Sequence, residues 1–164
     1  MIFVKLEGYD FKYQVEDVLR LFYGNEKIVF IDDDLQNKGS ELYFHSRLES
    51  SDKCTSLNNE LFYDNELKIS SSYDLTDFIT EKQCCENFIE SNLFKREIKR
   101  LIYNDLKEYT LKRLPWGMLT GIRPSKIVHE MMDRHLSEQE ILDTLTGYYD
   151  ITPQKANLLY NIAK

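Results

Sequence analysis

The residue types best placed to do chemistry are packed into one short run, Trp116-Gly117-Met118-Leu119-Thr120-Gly121-Ile122-Arg123-Pro124-Ser125-Lys126. Glycine permits positive φ or close backbone approach. Pro124 presets the backbone for the first turn of a helix, whose leading amides face the preceding loop. Arg123 and Lys126 flank that helix start, so a carboxylate or phosphate could be held there. Trp116, Gly117, Thr120, Gly121, Arg123, Ser125 and Lys126 are therefore the candidate contacts for an anionic substrate or a docking domain. The competing and favoured reading is a tight inter-helix turn, with Trp116 filling the core and Arg123 bridging backbone carbonyls or Asp105. The run is not a P-loop, since no lysine directly follows the second glycine.

Other reactive residues are poorly arranged for catalysis. Cys54, Cys84 and Cys85 form no Cys-x-x-Cys pair, and adjacent cysteines on a helix point in different directions. His45 sits on an expected strand, while His129 and His135 do not share a helix face at ligand spacing; ordinary surface or helix-end histidines are expected. Asp32-Asp33-Asp34 lacks the alternating ligands, glycine and terminal glutamate of an EF-hand and reads as a solvated loop. The 11 tyrosines and 9 phenylalanines fall mostly on expected core faces, so packing is their default role. No catalytic, cofactor-binding or metal-binding residue is assigned.

Net charge is −7 over 164 residues, unevenly spread. Residues 1–80 hold 8 basic and 16 acidic side chains, whereas 95–126 hold nine basic and three acidic. The asymmetry suggests two differently used parts and one modest basic surface. An acidic chain is not expected to bind nucleic acid. No apolar run approaches the ~20 residues of a membrane span, and no secretory signal is visible at the start. The expectation is a soluble, cytoplasmic protein.

The elements that would position these residues read as follows. Ile2, Val4 and Leu6 alternate with Phe3, Lys5 and Glu7, a strand pattern. Val15, Val18, Leu19 and Phe22 make one helix face ending at Gly24-Asn25. Lys27–Ile31, the stretch around Leu42 and Phe44, Glu60–Tyr63 and Glu66–Ser71 are strands, the last two flanking Asp64-Asn65. The order β-α-β-β-β-β predicts an α+β fold: a small antiparallel or mixed sheet with a helix on one face. A mostly helical C-terminal part follows, with the boundary near residues 76–81, giving a strand-rich part over 1–80 and a helical part over 81–164.

One long helix is expected over 81–113, with Cys84, Phe94, Ile98, Leu101, Ile102 and Tyr109 inward and Arg96, Arg100 and Lys107 on a solvated outer face. Asp105 falls in the apolar stripe, so a partner is predicted for it, Arg123 or Arg113. Beyond Pro115, helices are expected from Pro124 (Ile127, Val128, Met131, Met132), from a capping box at Ser137-Glu138-Gln139-Glu140 to Gly147, and from Thr152-Pro153 (Ala156, Leu159, Ile162).

The run 115–129, Pro-Trp-Gly-Met-Leu-Thr-Gly-Ile-Arg-Pro-Ser-Lys-Ile-Val-His, resembles a segment that precedes the barrel in the coproporphyrinogen dehydrogenase branch of the radical SAM superfamily. There it reads Trp-Gly-x-Leu-Thr-Gly-Ile-Arg-Pro-Thr-Lys. The tail Ser137–Lys164, with Tyr148-Tyr149-Asp150-Ile151 and Lys155-Ala156, is similar to the same family. Residues 1–114 match only in length and element order. The resemblance implies an N-terminal accessory domain, ending before the catalytic barrel, of an oxidoreductase that converts coproporphyrinogen III to protoporphyrinogen IX without oxygen in haem biosynthesis. It implies as partners the barrel of the same polypeptide and, for the parent, a tetrapyrrole substrate. A 4Fe-4S cluster and S-adenosylmethionine are implied for the parent alone: the family's Cys-x-x-x-Cys-x-x-Cys is absent here, and three thiolates at that spacing are what the cluster requires. This chain alone is expected to be catalytically silent. The rival readings are a domain of a haem-chaperone-like radical SAM relative and a stand-alone nucleic-acid-binding module using the 95–126 basic region.

Overall fold

The alternation of Ile2 and Val4 with their polar-side neighbours becomes strand β1 (Ile2–Glu7), with both residues essentially inaccessible to solvent. The computed structural model describes residues 1–33, 41–51, 54–82, 92–119 and 123–164. Helix α1 (Lys12–Tyr23) returns the chain so that β2 (Ile28–Phe30) pairs with β1 in parallel, as a helical crossover requires. Strand β3 (Leu42–Ser50) also pairs with β1 in parallel, Ile2 opposite Leu42 and Leu6 opposite Ser46. Strands β4 (Thr55–Tyr63) and β5 (Glu66–Asp74) continue antiparallel. Asp64 and Asn65 join them with φ of 53° and 61°, the two-residue primed turn whose twist matches the strands. The result is a five-stranded mixed sheet in the order β2-β1-β3-β4-β5, and the α+β expectation holds.

The chain divides into two compact units, Met1–Thr110 and Leu111–Lys164. In the first, α2 (Thr76–Lys82) follows the sheet and α3 (Asn92–Thr110) packs against α1 and β5. Phe94, Ile98, Leu101, Ile102 and Leu106 supply its buried stripe, and the Phe22 and Tyr103 rings meet at 5.4 Å between α1 and α3. That packing carries the first unit to Thr110. Of the helix expected over 81–113, Glu81, Lys82 and residues 92–110 are helical, while residues 83–91, Cys84 and Cys85 among them, lie outside the described residues. The end comes at Thr110 because Leu111 adopts a φ of 53°, so the stop precedes Pro115. Tyr109 lies 37% exposed rather than inward, and Tyr103 fills the core instead. Arg96, Arg100 and Lys107 are half-buried rather than on a solvated face; Arg100 reaches Glu97, itself buried, at 2.5 Å.

In the second unit, Pro124 occupies the first turn of α4 (Pro124–Asp133), which buries Ile127, Val128 and Met131. The capping box forms as its spacing predicts: Glu140 N–H donates to Ser137 Oγ while the Glu140 carboxylate accepts from Ser137 N–H, at the start of α5 (Glu138–Gly147). Gly147 lies inside that helix, and Asp150 takes the left-handed conformation after it. Pro153 opens α6 (Pro153–Ala163), which buries Ala156, Leu159 and Ala163. Ile162, expected inward, is 64% exposed because the next residue, Ala163, points inward in its place. No helix among the described residues is long and apolar enough to cross a membrane.

Candidate functional site

The run that carries the candidate contacts is built on a backbone-to-backbone dock inside the second unit. After Pro115 the chain makes a turn, with Gly117 N–H donating to Leu114 O at 2.9 Å. Met118 N–H then donates to Tyr149 O at 3.0 Å, and Thr152 N–H donates to Pro115 O at 3.1 Å. Two stretches some thirty residues apart are thereby laced together. Gly117 sits at the crossing with a φ of 55°, and a Cβ there would lie 1.9 Å from Tyr149 O. Only glycine satisfies both the backbone conformation and the approach.

The tryptophan does not fill the core. Trp116 is 36% exposed, Lys155 Nζ lies 4.9 Å from the centre of its ring, and Met118 takes the buried place at 3% exposure. A cation over an indole face is electrostatically attracted to it. Thr120 and Gly121 lie outside the described residues.

Arg123 is the N-cap of α4 in extended conformation, and its exposed side chain makes no capping bond. Lys126 is 71% exposed and stands 3.8 Å from Glu130, an i,i+4 pair of small energetic consequence. Ser125 is half-buried between them. The helix start offers few backbone donors: Pro124 has none, and Lys126 N–H donates to Arg123 O at 3.0 Å. An anion would therefore be held mainly by the two side-chain cations and the Ser125 hydroxyl, not by a cradle of amides.

The first unit holds a polar site that the sequence pattern hid. Asp105, 4% exposed, accepts hydrogen bonds from Asn59 Nδ2 at 2.7 Å, Ser71 Oγ at 2.8 Å and Tyr73 OH at 2.5 Å. Its expected partner was a guanidinium of Arg113 or Arg123; neutral donors of β4 and β5 take that place. The reason is register. Ser46, Asn59 and Ser71 are cross-strand neighbours in one row under α3. Asn59 Oδ1 accepts from Ser46 Oγ, and Ser46 Oγ accepts from Tyr9 OH, each at 2.6 Å. Burial raises the Asp105 carboxyl above its ordinary value of 3.8, against the lowering pull of Tyr73, Asn59 and Ser71. The signal available beforehand was the short runs Asn58-Asn59 and Ser70-Ser71-Ser72, which also describe a solvated edge.

On the opposite sheet face His45 is 8% exposed, not a surface histidine. Its Nε2 lies 3.4 Å from Glu7 and its Nδ1 3.6 Å from Glu60. Glu7 accepts from Lys5 Nζ at 2.7 Å and Arg47 Nε at 2.5 Å, and these bonds drive its carboxyl from 4.5 down to about 2. A carboxylate with a depressed folded-state pKa stabilises above its unfolded value and loses that contribution as pH falls. Glu7→Gln is thus expected to lower the melting temperature at neutral pH and to have a much smaller effect near pH 2. A melting difference unchanged across that range would remove the pair from the account of acid stability. As this group is partly exposed, added salt should shrink the difference.

The resemblance places its cluster on the parent alone, and of this chain's three cysteines Cys84 and Cys85 lie outside the described residues. Cys54 is exposed, and Asp74 Oδ1 lies 3.9 Å from its sulfur. Among the described residues no group of three or more His, Cys, Asp or Glu could hold a metal ion. Asp32 and Asp33 are exposed. Comparison with models of protein families, with curated proteins and with solved structures finds no match.

Proposed function

We propose that this chain is the N-terminal accessory portion of a radical SAM oxidoreductase of the coproporphyrinogen dehydrogenase kind. In this reading the 116–126 turn is a contact for the catalytic barrel or for a substrate propionate. The observation that carries it is the lacing of Pro115–Met118 to Tyr149–Thr152 through three backbone and side-chain bonds. These are the two separated stretches that bear the resemblance, and they form one structural piece around an obligatory glycine. That piece leaves Arg123 and Lys126 exposed at one helix start, where carboxylates would be attracted. The setting proposed is the cytoplasm.

The test is anaerobic reconstitution of the polypeptide that the full reading frame encodes, followed by assay of coproporphyrinogen III consumption. Turnover to protoporphyrinogen IX is expected. Arg123→Ala with Lys126→Ala should raise KM about tenfold, the loss of two charge-assisted contacts of modest exposed strength. Haem binding without turnover would replace this reading by the haem-chaperone one. A reconstituted protein that binds neither cluster nor tetrapyrrole would end both.

A further inference from the structure

A cavity of about 300 Å³ opens in the first unit at the end of the sheet where β1 and β3 begin and β4 ends. Tyr23, Tyr63 and Tyr109 line it together with Met1, Glu26 and Glu41. We propose that this cavity is a binding site for a small organic cation, of the quaternary or alkylammonium class, held by tyrosine rings and two carboxylates.

Four features favour a cation there. First, the site already gathers one: the Met1 ammonium lies 2.9 Å from Glu41 and 3.2 Å from Glu26. Second, two carboxylates against one ammonium leave an excess negative charge at the rim. Both glutamates remain at least 40% exposed, so they are open to a further cation. Third, Tyr23 closes α1 and Tyr109 lies in the last turn of α3. Helix C-termini carry partial negative charge, and two of them border this cavity. Fourth, Tyr23, Tyr63 and Tyr109 all line the cavity, and tyrosine is a residue type whose ring quadrupole attracts cations.

Among the described residues, the nearby cation on β5 is already paired. Lys68, near Tyr109, is tied to Glu66 at 2.5 Å. Burial keeps the Tyr23 phenol protonated and uncharged. Tyr63 and Tyr109 are 46% and 37% exposed, large aromatic surfaces left open around a single concavity. A cation with apolar substituents would cover them without desolvating a bare ammonium.

The experiment is an NMR titration of the chain with Met1 as its first residue and no N-terminal tag. The probes are choline and its neutral carbon isostere, 3,3-dimethylbutan-1-ol. Saturable shifts at Tyr23, Tyr63 and Tyr109 are expected with choline, and the isostere should bind at least about tenfold more weakly. Tyr63→Ala and Glu41→Gln should each weaken choline binding several-fold with an unchanged melting temperature. Should either variant fold poorly, Glu41→Lys, which adds a competing ammonium at the rim, should do the same. Absence of saturable shifts at these tyrosines, equal binding of the isostere, or variants that bind choline as the parent chain does would each overturn the proposal.

Discussion

Gly117→Ala is expected to destabilise the second unit by on the order of 3–5 kcal/mol, enough to unfold much of it. A left-handed φ costs a Cβ-bearing residue ~1–2 kcal/mol. The larger part comes from the clash: the new Cβ would sit 1.9 Å from Tyr149 O and 2.6 Å from the Asp150 carbonyl. Something must move, and what moves is the dock. The Met118-to-Tyr149 and Thr152-to-Pro115 bonds go with it, at about 1 kcal/mol each. A unit this small has a total stability of roughly 3–8 kcal/mol. The check is denaturant unfolding followed by the fluorescence of Trp116, the only tryptophan in the chain. Gly147→Ala is the control, since a Cβ there meets nothing within 4 Å in a helix; it should be neutral or stabilising by up to ~1 kcal/mol. Equal melting temperatures for Gly117→Ala and the parent chain would show that the crossing can open without cost.

Asp105→Ala should cost about 3–5 kcal/mol in the first unit, because it strands the buried Asn59 amide, takes the acceptor from the part-buried Ser71 and Tyr73 hydroxyls and leaves a cavity. Asp105→Asn should cost less, about 1–2 kcal/mol: the Ser71 and Tyr73 hydroxyls can reorient, whereas the Asn59 amide cannot. The pH dependence separates the charge from the shape. Burial, the largest influence, raises the carboxyl above 3.8 in the folded state. Between 3.8 and that raised value the folded chain binds more protons than the unfolded one, so stability falls as pH rises through the window. The asparagine variant lacks this loss. Its deficit relative to the parent chain should therefore be greatest near pH 4 and shrink toward pH 7, measured by urea unfolding at each pH. A deficit that grows with pH would mean that the three donors outweigh burial and hold the carboxyl ionised.

The helix faces were legible because 3.6-residue periodicity is a local property. Val15, Val18, Leu19 and Phe22 are buried as a set, and so are Phe94, Ile98, Leu101 and Ile102. Where the reading slipped, a neighbour in space made the choice. Tyr103 went in and Tyr109 came out because Phe22 meets the former ring. Met118 rather than Trp116 entered the core, as the dock on Tyr149 directs residue 118 inward.

By itself the sequence determined what short-range forces decide. Alternation set the strands, Asp64-Asn65 made the primed turn, Ser137 and Glu140 closed the capping box, and Pro124 and Pro153 opened helices. It also marked Gly117 and the cations at Arg123 and Lys126 as a distinctive turn. Which polar residues share a buried site is set by contacts between elements distant in the chain. The Ser46, Asn59 and Ser71 row, and the meeting of Asp105 with it, depend on strand register and on where α3 crosses the sheet. The tyrosine-walled cavity likewise assembles residues from positions 1 to 109. Such juxtapositions leave no mark on local spacing, because the free energy that selects them is burial summed over elements far apart in the chain.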